Sequence, residues 1–199
     1  MKSSFSRTDW VRILRQGKSI YNFTELMRLS GLSASSLRKA IQRLVKRKLL
    51  LRLKRELYAN PFAMPSLEEV AAVLYPPAYI SLESALFMHG VIDQAPHLLT
   101  CVSTNKTRIF RTDLGEIAYF HLKKELFFGY EMRDRAVLAW PEKAALDYIY
   151  LQRQNGIEPS LDEWNWENLD KNKLRQLARS YPGTVRKNLK DFCHSADYL

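Results

Sequence analysis

Apolar residues in the first third of the chain recur at helical spacing. From Thr8 the run Trp10, Val11, Ile13, Leu14 continues to Gln16 and meets Gly17, a residue suited to a helix C-cap, so a first helix is expected there. A shorter one follows over Thr24–Leu29, with Thr24 as N-cap candidate and Ser30-Gly31 as its end. Ser33 then stands before Leu37, Ala40, Ile41, Leu44 and Val45, whose i, i+3, i+4, i+7, i+8 spacing makes one apolar stripe on a third helix reaching Lys48. Leu49 to Leu53 and Leu57 to Ala59, on either side of a basic tip at Lys54-Arg55-Glu56, read as a two-stranded hairpin ended by Asn60-Pro61.

Beyond Ser66 the pattern predicts helices over Leu67–Leu74, broken by Pro76-Pro77, and over Leu82–His89, capped by Ser81 and closed by Gly90. Between Leu98 and Ala139 the period shortens to that of strands: Leu99–Ser103, Thr107–Arg111, Glu116–Leu122, Leu126–Tyr130 and Ala136–Leu138, which predict a small antiparallel sheet. Pro141 suits the first turn of a helix running to Leu151, and two or three further helices are expected over Leu161–Leu199. The expected fold class is α+β: a winged helix-turn-helix over residues 1–60, then a larger mixed domain over 61–199, with the boundary in the proline-containing segment Asn60–Ser66.

Charge sharpens that division. The chain of 199 residues has a net charge of +10, but residues 1–60 hold 15 Lys and Arg against 3 Asp and Glu, a net +12, while the remainder holds 16 against 18, a net −2. All the excess positive charge lies at one end, which points to a polyanion as the partner of that end. The N-terminus lacks the apolar stretch of a signal peptide, and the longest apolar run, Val70–Leu82, is short for a bilayer and contains two prolines. The chain therefore reads as soluble, cytoplasmic and without a membrane partner.

On the third helix the charges are ordered. At about 100° per residue, Ser35, Lys39, Gln42 and Lys46 fall within roughly 40° of the point opposite Leu37. Arg38, Arg43 and Arg47 flank this stripe. Cations for phosphates and a Gln able to bond base edges on one exposed helix are the chemistry of major-groove recognition in double-stranded DNA. Lys54 and Arg55 at the hairpin tip complete the expected contact set by reaching the adjacent backbone.

The rest of the chain offers little catalytic patterning. It has no GxxxxGK[ST], GxSxG or HExxH, and its histidines, His89, His97, His121 and His194, are isolated. No cofactor or metal is implied. Cys101 and Cys193 read as buried free thiols. Glu142 suits the first turn of its helix and Lys143 and Asp147 form an i, i+4 pair, all structural roles. Asp113, Glu116 and Lys123, on or near the expected sheet, are the residues a metal-dependent nuclease would use, and their spacing is not diagnostic. The aromatic residues Tyr119, Phe120, Phe127, Phe128, Tyr130, Trp164 and Trp166 are read as core rather than as base-stacking platforms.

Two stretches carry a family resemblance. Tyr79-Ile80-Ser81-Leu82-Glu83-Ser84-Ala85-Leu86 to His89-Gly90, and Leu138-Ala139-Trp140-Pro141-Glu142-Lys143-Ala144-Ala145-Leu146-Asp147, following a basic N-terminal domain, resemble AbiEi-type abortive-infection antitoxins. The resemblance covers most of residues 5–155, with Trp140 and Ala145 as departures inside the second motif. It implies a bacterial antitoxin that represses its own operon, binding inverted repeats in its promoter, and counters a partner nucleotidyltransferase toxin, with no catalytic residues of its own. The alternative is a plain transcriptional regulator whose C-terminal domain senses a ligand or protein.

Overall fold

The computed structural model describes residues 7–187 and residue 189. Its first part is three helices and a small sheet. Helix α1 (Arg7–Arg15) buries Trp10 and Leu14; strand β1 (Ile20–Asn22) follows, then α2 (Phe23–Ser30) and α3 (Ala34–Lys46). Strands β2 (Leu51–Lys54) and β3 (Leu57–Ala59) form the hairpin, and β3 lies between β2 and β1, antiparallel to both. Strand β1 is absent from the sequence expectation, because three residues are too few to set up an alternation and their partner is distant in sequence, with Ile20 opposite Ala59.

Local chemistry sets the ends of these elements. The cap of α2 is Asn22 rather than Thr24: its side chain accepts from the Glu25 N–H and the Glu25 carboxylate accepts from the Asn22 N–H, a reciprocal capping box. Gly31 ends α2 in the left-handed conformation, φ 63°, where a side chain is strained, and this turn aims α3 across α2. Ser33 caps α3 as expected, and Arg47 is its C-cap, so the helix stops short of Lys48. Asn60, fully buried, donates to the Leu14 and Lys18 carbonyls at 2.7 and 2.9 Å and so satisfies the end of α1.

The remainder is one six-stranded sheet with helices on both faces. After a 3-10 turn at Pro61–Ala63 come α4 (Leu67–Leu74), β4 (Ala78–Ile80), α5 (Leu82–Met88), β5 (Leu99–Ser103), β6 (Arg108–Thr112), β7 (Gly115–His121), β8 (Tyr130–Arg133), β9 (Ala136–Ala139), α6 (Pro141–Gln154) and α7 (Lys171–Ala178). The order across the sheet is β6-β7-β5-β4-β9-β8, and it is mixed: β4 pairs parallel with β9 and β5 parallel with β7. The expected small antiparallel sheet is corrected on both counts. Hairpin-like spacing between successive strands suggests antiparallel neighbours, but β6 occupies the edge and β7 returns between it and β5. The strand expected over Leu126–Tyr130 begins only at Tyr130, since Lys124–Leu126 is a 3-10 turn, and β4, a three-residue strand directly after Pro77, is absent from the sequence expectation. Residues 183–187 are helical. Cys193, His194 and the end of the last expected helix lie outside the described residues.

Side-chain alternation assigns the two faces. Tyr119 donates to the Ala71 carbonyl of α4, at 2.8 Å, placing Ile80, Cys101 and Tyr119, neighbours across the sheet, under α4. Tyr79 and Ser81 point the other way, to α6. Strand β5, buried at every position, is the centre of this core. The first core, built on Trp10, Leu14, Leu26, Leu37, Ile41 and Leu44, is separate, yet Ile20, Leu53 and Ala59 of the small sheet belong to the large one. The small sheet is thus a wall shared by both cores, and α4 lies against it. Ser19 donates to the Glu69 carboxylate on α4, Arg135 comes within 3.8 Å of the same carboxylate, and the Lys54 ammonium donates to the Leu74 carbonyl at 2.6 Å.

Candidate nucleic-acid interface

Helix α3 is two-sided. Leu37, Ala40, Ile41 and Leu44 are buried, while Ser35, Arg38, Lys39, Gln42, Arg43, Lys46 and Arg47 are all exposed. These seven residues present five cations, one amide and one hydroxyl on an exposed surface. Two of the cations are steered. The Arg38 guanidinium lies over the Phe23 ring, 5.3 Å from its centroid, and Arg43 Nε donates to the Lys39 carbonyl one turn back, at 3.3 Å. Ser35 lies 3.2 Å from the Ser33 cap hydroxyl.

Between α3 and the hairpin runs a groove of about 430 Å³ lined by the apolar or aromatic Phe23, Ile41, Val45 and Tyr58, by the cations Arg38, Lys46, Arg52 and Arg55, by Gln42 and by one carboxylate, Glu56. Burial pushes the Tyr58 hydroxyl's pKa up, with Arg52 opposing it and the Glu56 charge adding to it, so this hydroxyl stays neutral in a groove of net positive charge. Of the residues expected from sequence to contact a partner, Arg38, Gln42, Lys46 and Arg55 meet here. Ser35, Lys39, Arg43 and Arg47 are exposed on α3 without lining the groove.

Lys54 is placed elsewhere. Register shifts between Arg52 and Lys54, a bulge that re-aims the side chain toward the C-terminal end of α4, where its ammonium meets the Leu74 carbonyl. The tip of the hairpin is Arg55-Glu56, with Glu56 at φ 61°. Arg52 takes the position in the groove that Lys54 does not, and its signal was in the alternation: Leu51 and Leu53 face inward, so Arg52 faces out.

A second polar constellation is buried. Lys143 and Asp147, the i, i+4 pair on α6, both have no exposed surface and form an ion pair. Asp147 also accepts from Tyr79, Ser81 and Tyr181 at 3.0, 2.9 and 2.7 Å, and the Lys143 ammonium donates to the Tyr181 hydroxyl at 2.6 Å, ringed by Tyr79, Phe128 and Tyr181. Gly129, at φ 74°, lets the chain approach the Lys143 stem, where a Cβ would lie 3.0 Å from Cγ. Burial lowers the lysine's pKa while Asp147 opposes that, and burial with the Asp147 charge raises both tyrosines. Both carboxylate oxygens of Asp147 are committed and Tyr79, Ser81, Lys143, Asp147 and Tyr181 are all buried, so the cluster is a tie between β4, α6 and the Tyr181 segment. Glu142 is likewise more than a dipole partner: buried, it accepts from the Asp170 N–H at 3.0 Å and lies 3.1 Å from the Lys173 ammonium, holding the start of α7.

The remaining candidates are dispersed. Glu116 is paired with Arg111 at 2.9 Å, Asp113 lies in the β6–β7 turn, and Lys123 lines a separate hollow with Tyr150 and Lys187. Among the described residues no three His, Cys, Asp or Glu side chains gather as metal ligands, and no helix is long and apolar enough to cross a membrane. His89 ends α5 and its Nε2 donates to the Ala139 carbonyl at 2.8 Å. Cys101 is a buried free thiol whose pKa burial pushes up. No family model and no curated protein matches the chain.

Proposed function

We propose that this protein binds double-stranded DNA and represses transcription through an N-terminal winged helix-turn-helix, in which α2 and α3 are the helix pair, α3 is the recognition helix and the β2–β3 hairpin is the wing. The observation that carries the reading is the outward face of α3, where five cations and Gln42 are exposed opposite the buried Leu37, Ala40, Ile41 and Leu44. A helix of about 10–12 Å diameter fits a major groove of about 12 Å width. Lys39, Gln42, Arg43 and Lys46 then face base edges and the near phosphates, and Arg38, Arg52 and Arg55 in the groove take the backbone that rises between helix and wing. Lys54 is assigned to holding α4.

The family resemblance supports the more specific role: a cytoplasmic antitoxin of the AbiEi type that represses its own promoter at inverted repeats and counters a partner nucleotidyltransferase toxin. Fluorescence anisotropy with the upstream promoter duplex tests the DNA reading. Affinity should fall steeply with salt, with a log-log slope of about −0.9 for each phosphate contact, and salt-insensitive binding sinks it. Co-expression tests the antitoxin role separately: a neighbouring nucleotidyltransferase that is toxic alone should be tolerated when this chain is present, and failure to rescue removes that role while leaving repression intact.

A further inference from the structure

Strand β8 ends the six-stranded sheet, and its four residues Tyr130, Glu131, Met132 and Arg133 are all exposed, Met132 at 71%. The pattern of its outer backbone edge follows from its inner one. The Trp140 N–H donates to the Gly129 carbonyl at 3.0 Å, and these two residues extend the register in which Tyr130 faces Ala139 and Glu131 faces Leu138. Hydrogen-bonded and non-hydrogen-bonded pairs alternate along an antiparallel ladder. Glu131 and Arg133 therefore turn their peptide groups toward β9, and Tyr130 and Met132 turn theirs outward.

We propose that this edge pairs with the same edge of a second copy of the chain, antiparallel about a twofold axis centred on Met132. Outward peptide groups must oppose outward ones, which restricts the axis to a residue of the strand, and an axis at 130 sets Glu131 against Gly129 of the partner subunit with no charge pair. An axis at 131 sets Glu131 against Glu131 of the partner subunit, and one at 133 sets Arg133 against its own copy. The axis at 132 alone sets Glu131 against Arg133 of the partner subunit, and does so twice by symmetry. Those two ion pairs fall at non-hydrogen-bonded positions, where the strands' Cα atoms are closest, about 4.5 Å apart. The exposed Met132 side chains meet at the axis, and the two sheets become continuous.

Charged residues on an edge strand usually prevent such pairing. Here the two charges are opposite and two residues apart, so a single register turns them into partners. The other edge, β6, carries Arg108 and Arg111 and no carboxylate, so pairing it with itself offers no ion pair between its own residues. The inference stands apart from the DNA reading, since the dimer forms without DNA; if both hold, the twofold axis presents two α3 helices to an inverted repeat.

Analytical ultracentrifugation of the full chain without DNA, from low to high micromolar concentration, tests it. A concentration-dependent dimer is expected. Glu131→Arg and Arg133→Glu should each weaken it by about tenfold or more, as two attractive cross-strand pairs become repulsive. The double reversal Glu131→Arg/Arg133→Glu restores the pairs and should restore the dimer, with unchanged circular dichroism verifying the fold throughout. A monomer at every concentration, a dimer indifferent to the single reversals, or a double variant that stays dissociated overturns the proposal.

Discussion

Helices α3 and α6 use the same residue types to opposite ends. In α3 one stripe is buried and the cations stand in solvent; in α6 the positions from Glu142 to Asp147 are all buried, a lysine and two carboxylates among them. Lys143 has its ammonium bonded to Asp147 and Tyr181, whereas Lys46 is exposed and lines the groove beside the hairpin. The difference teaches where binding capacity resides. A polar group satisfied inside the fold specifies that fold and has nothing left for a partner, and a polar group left outside costs the fold little and remains available. Substitutions in α6 should therefore register in stability and those in α3 in binding.

The sharpest break of this contrast is Asp147→Ala. It strands the Lys143 ammonium and three hydroxyls in the core, and urea unfolding should show a loss of about 3–5 kcal/mol. Next comes Arg43→Ala with Lys46→Ala. Promoter binding should fall by roughly 1–3 kcal/mol per lost contact and with a shallower salt slope, while unfolding free energy moves by no more than about 0.5 kcal/mol. A pair of variants that lost stability rather than affinity would erase the contrast.

Alkaline titration probes the α6 cluster without mutation. Tyr79 and Tyr181 are held protonated in the folded chain, by burial first and by the Asp147 charge second. In the unfolded chain a tyrosine ionises near pH 10, so above that pH the folded state binds more protons. Stability is fully present below about pH 10 and then declines by about 1.4 kcal/mol per pH unit for each tyrosine. Lys143 acts in the opposite sense: burial lowers its pKa, so its contribution rises with pH until the unfolded lysine titrates near 10.4. Unfolding midpoints measured from pH 9 to 11 should thus turn downward near the top of that range, and Tyr79→Phe should flatten the descent.

The smallest effect separates two neighbours on one strand. Lys54→Met removes a cation from the C-terminal end of α4 and should cost about 0.3–1 kcal/mol of stability with promoter affinity unchanged. Arg52→Ala should do the reverse. Equal effects on affinity would return Lys54 to the DNA-facing set.

Both the helical stripe of α3 and the exposure of its polar residues were legible because they follow from period and capping within thirteen residues. So were α4 and β5, whose observed ends match the pattern. Strands β1 and β4 were not, since three residues carry no period, and the parallel pairings depend on the order of strands rather than on any local signal. The Lys54 placement turned on a one-residue bulge. The Asp147 cluster was hidden for another reason: its i, i+4 spacing suits a surface ion pair equally well, and only the convergence of Tyr79, Ser81 and Tyr181 from distant parts of the chain buries it.

The shared wall formed by β1, β2 and β3 bears on modularity. Residues 1–66 taken alone would leave Ile20, Leu53 and Ala59 without the apolar neighbours that now cover them, and the larger part would lose the surface against which α4 rests. The N-terminal unit is therefore not a detachable cassette. A transplant into another protein would have to carry α4 with it, and expression of the short fragment should yield a sticky, poorly soluble chain. The smallest heritable piece of this molecule is larger than its charge pattern suggests.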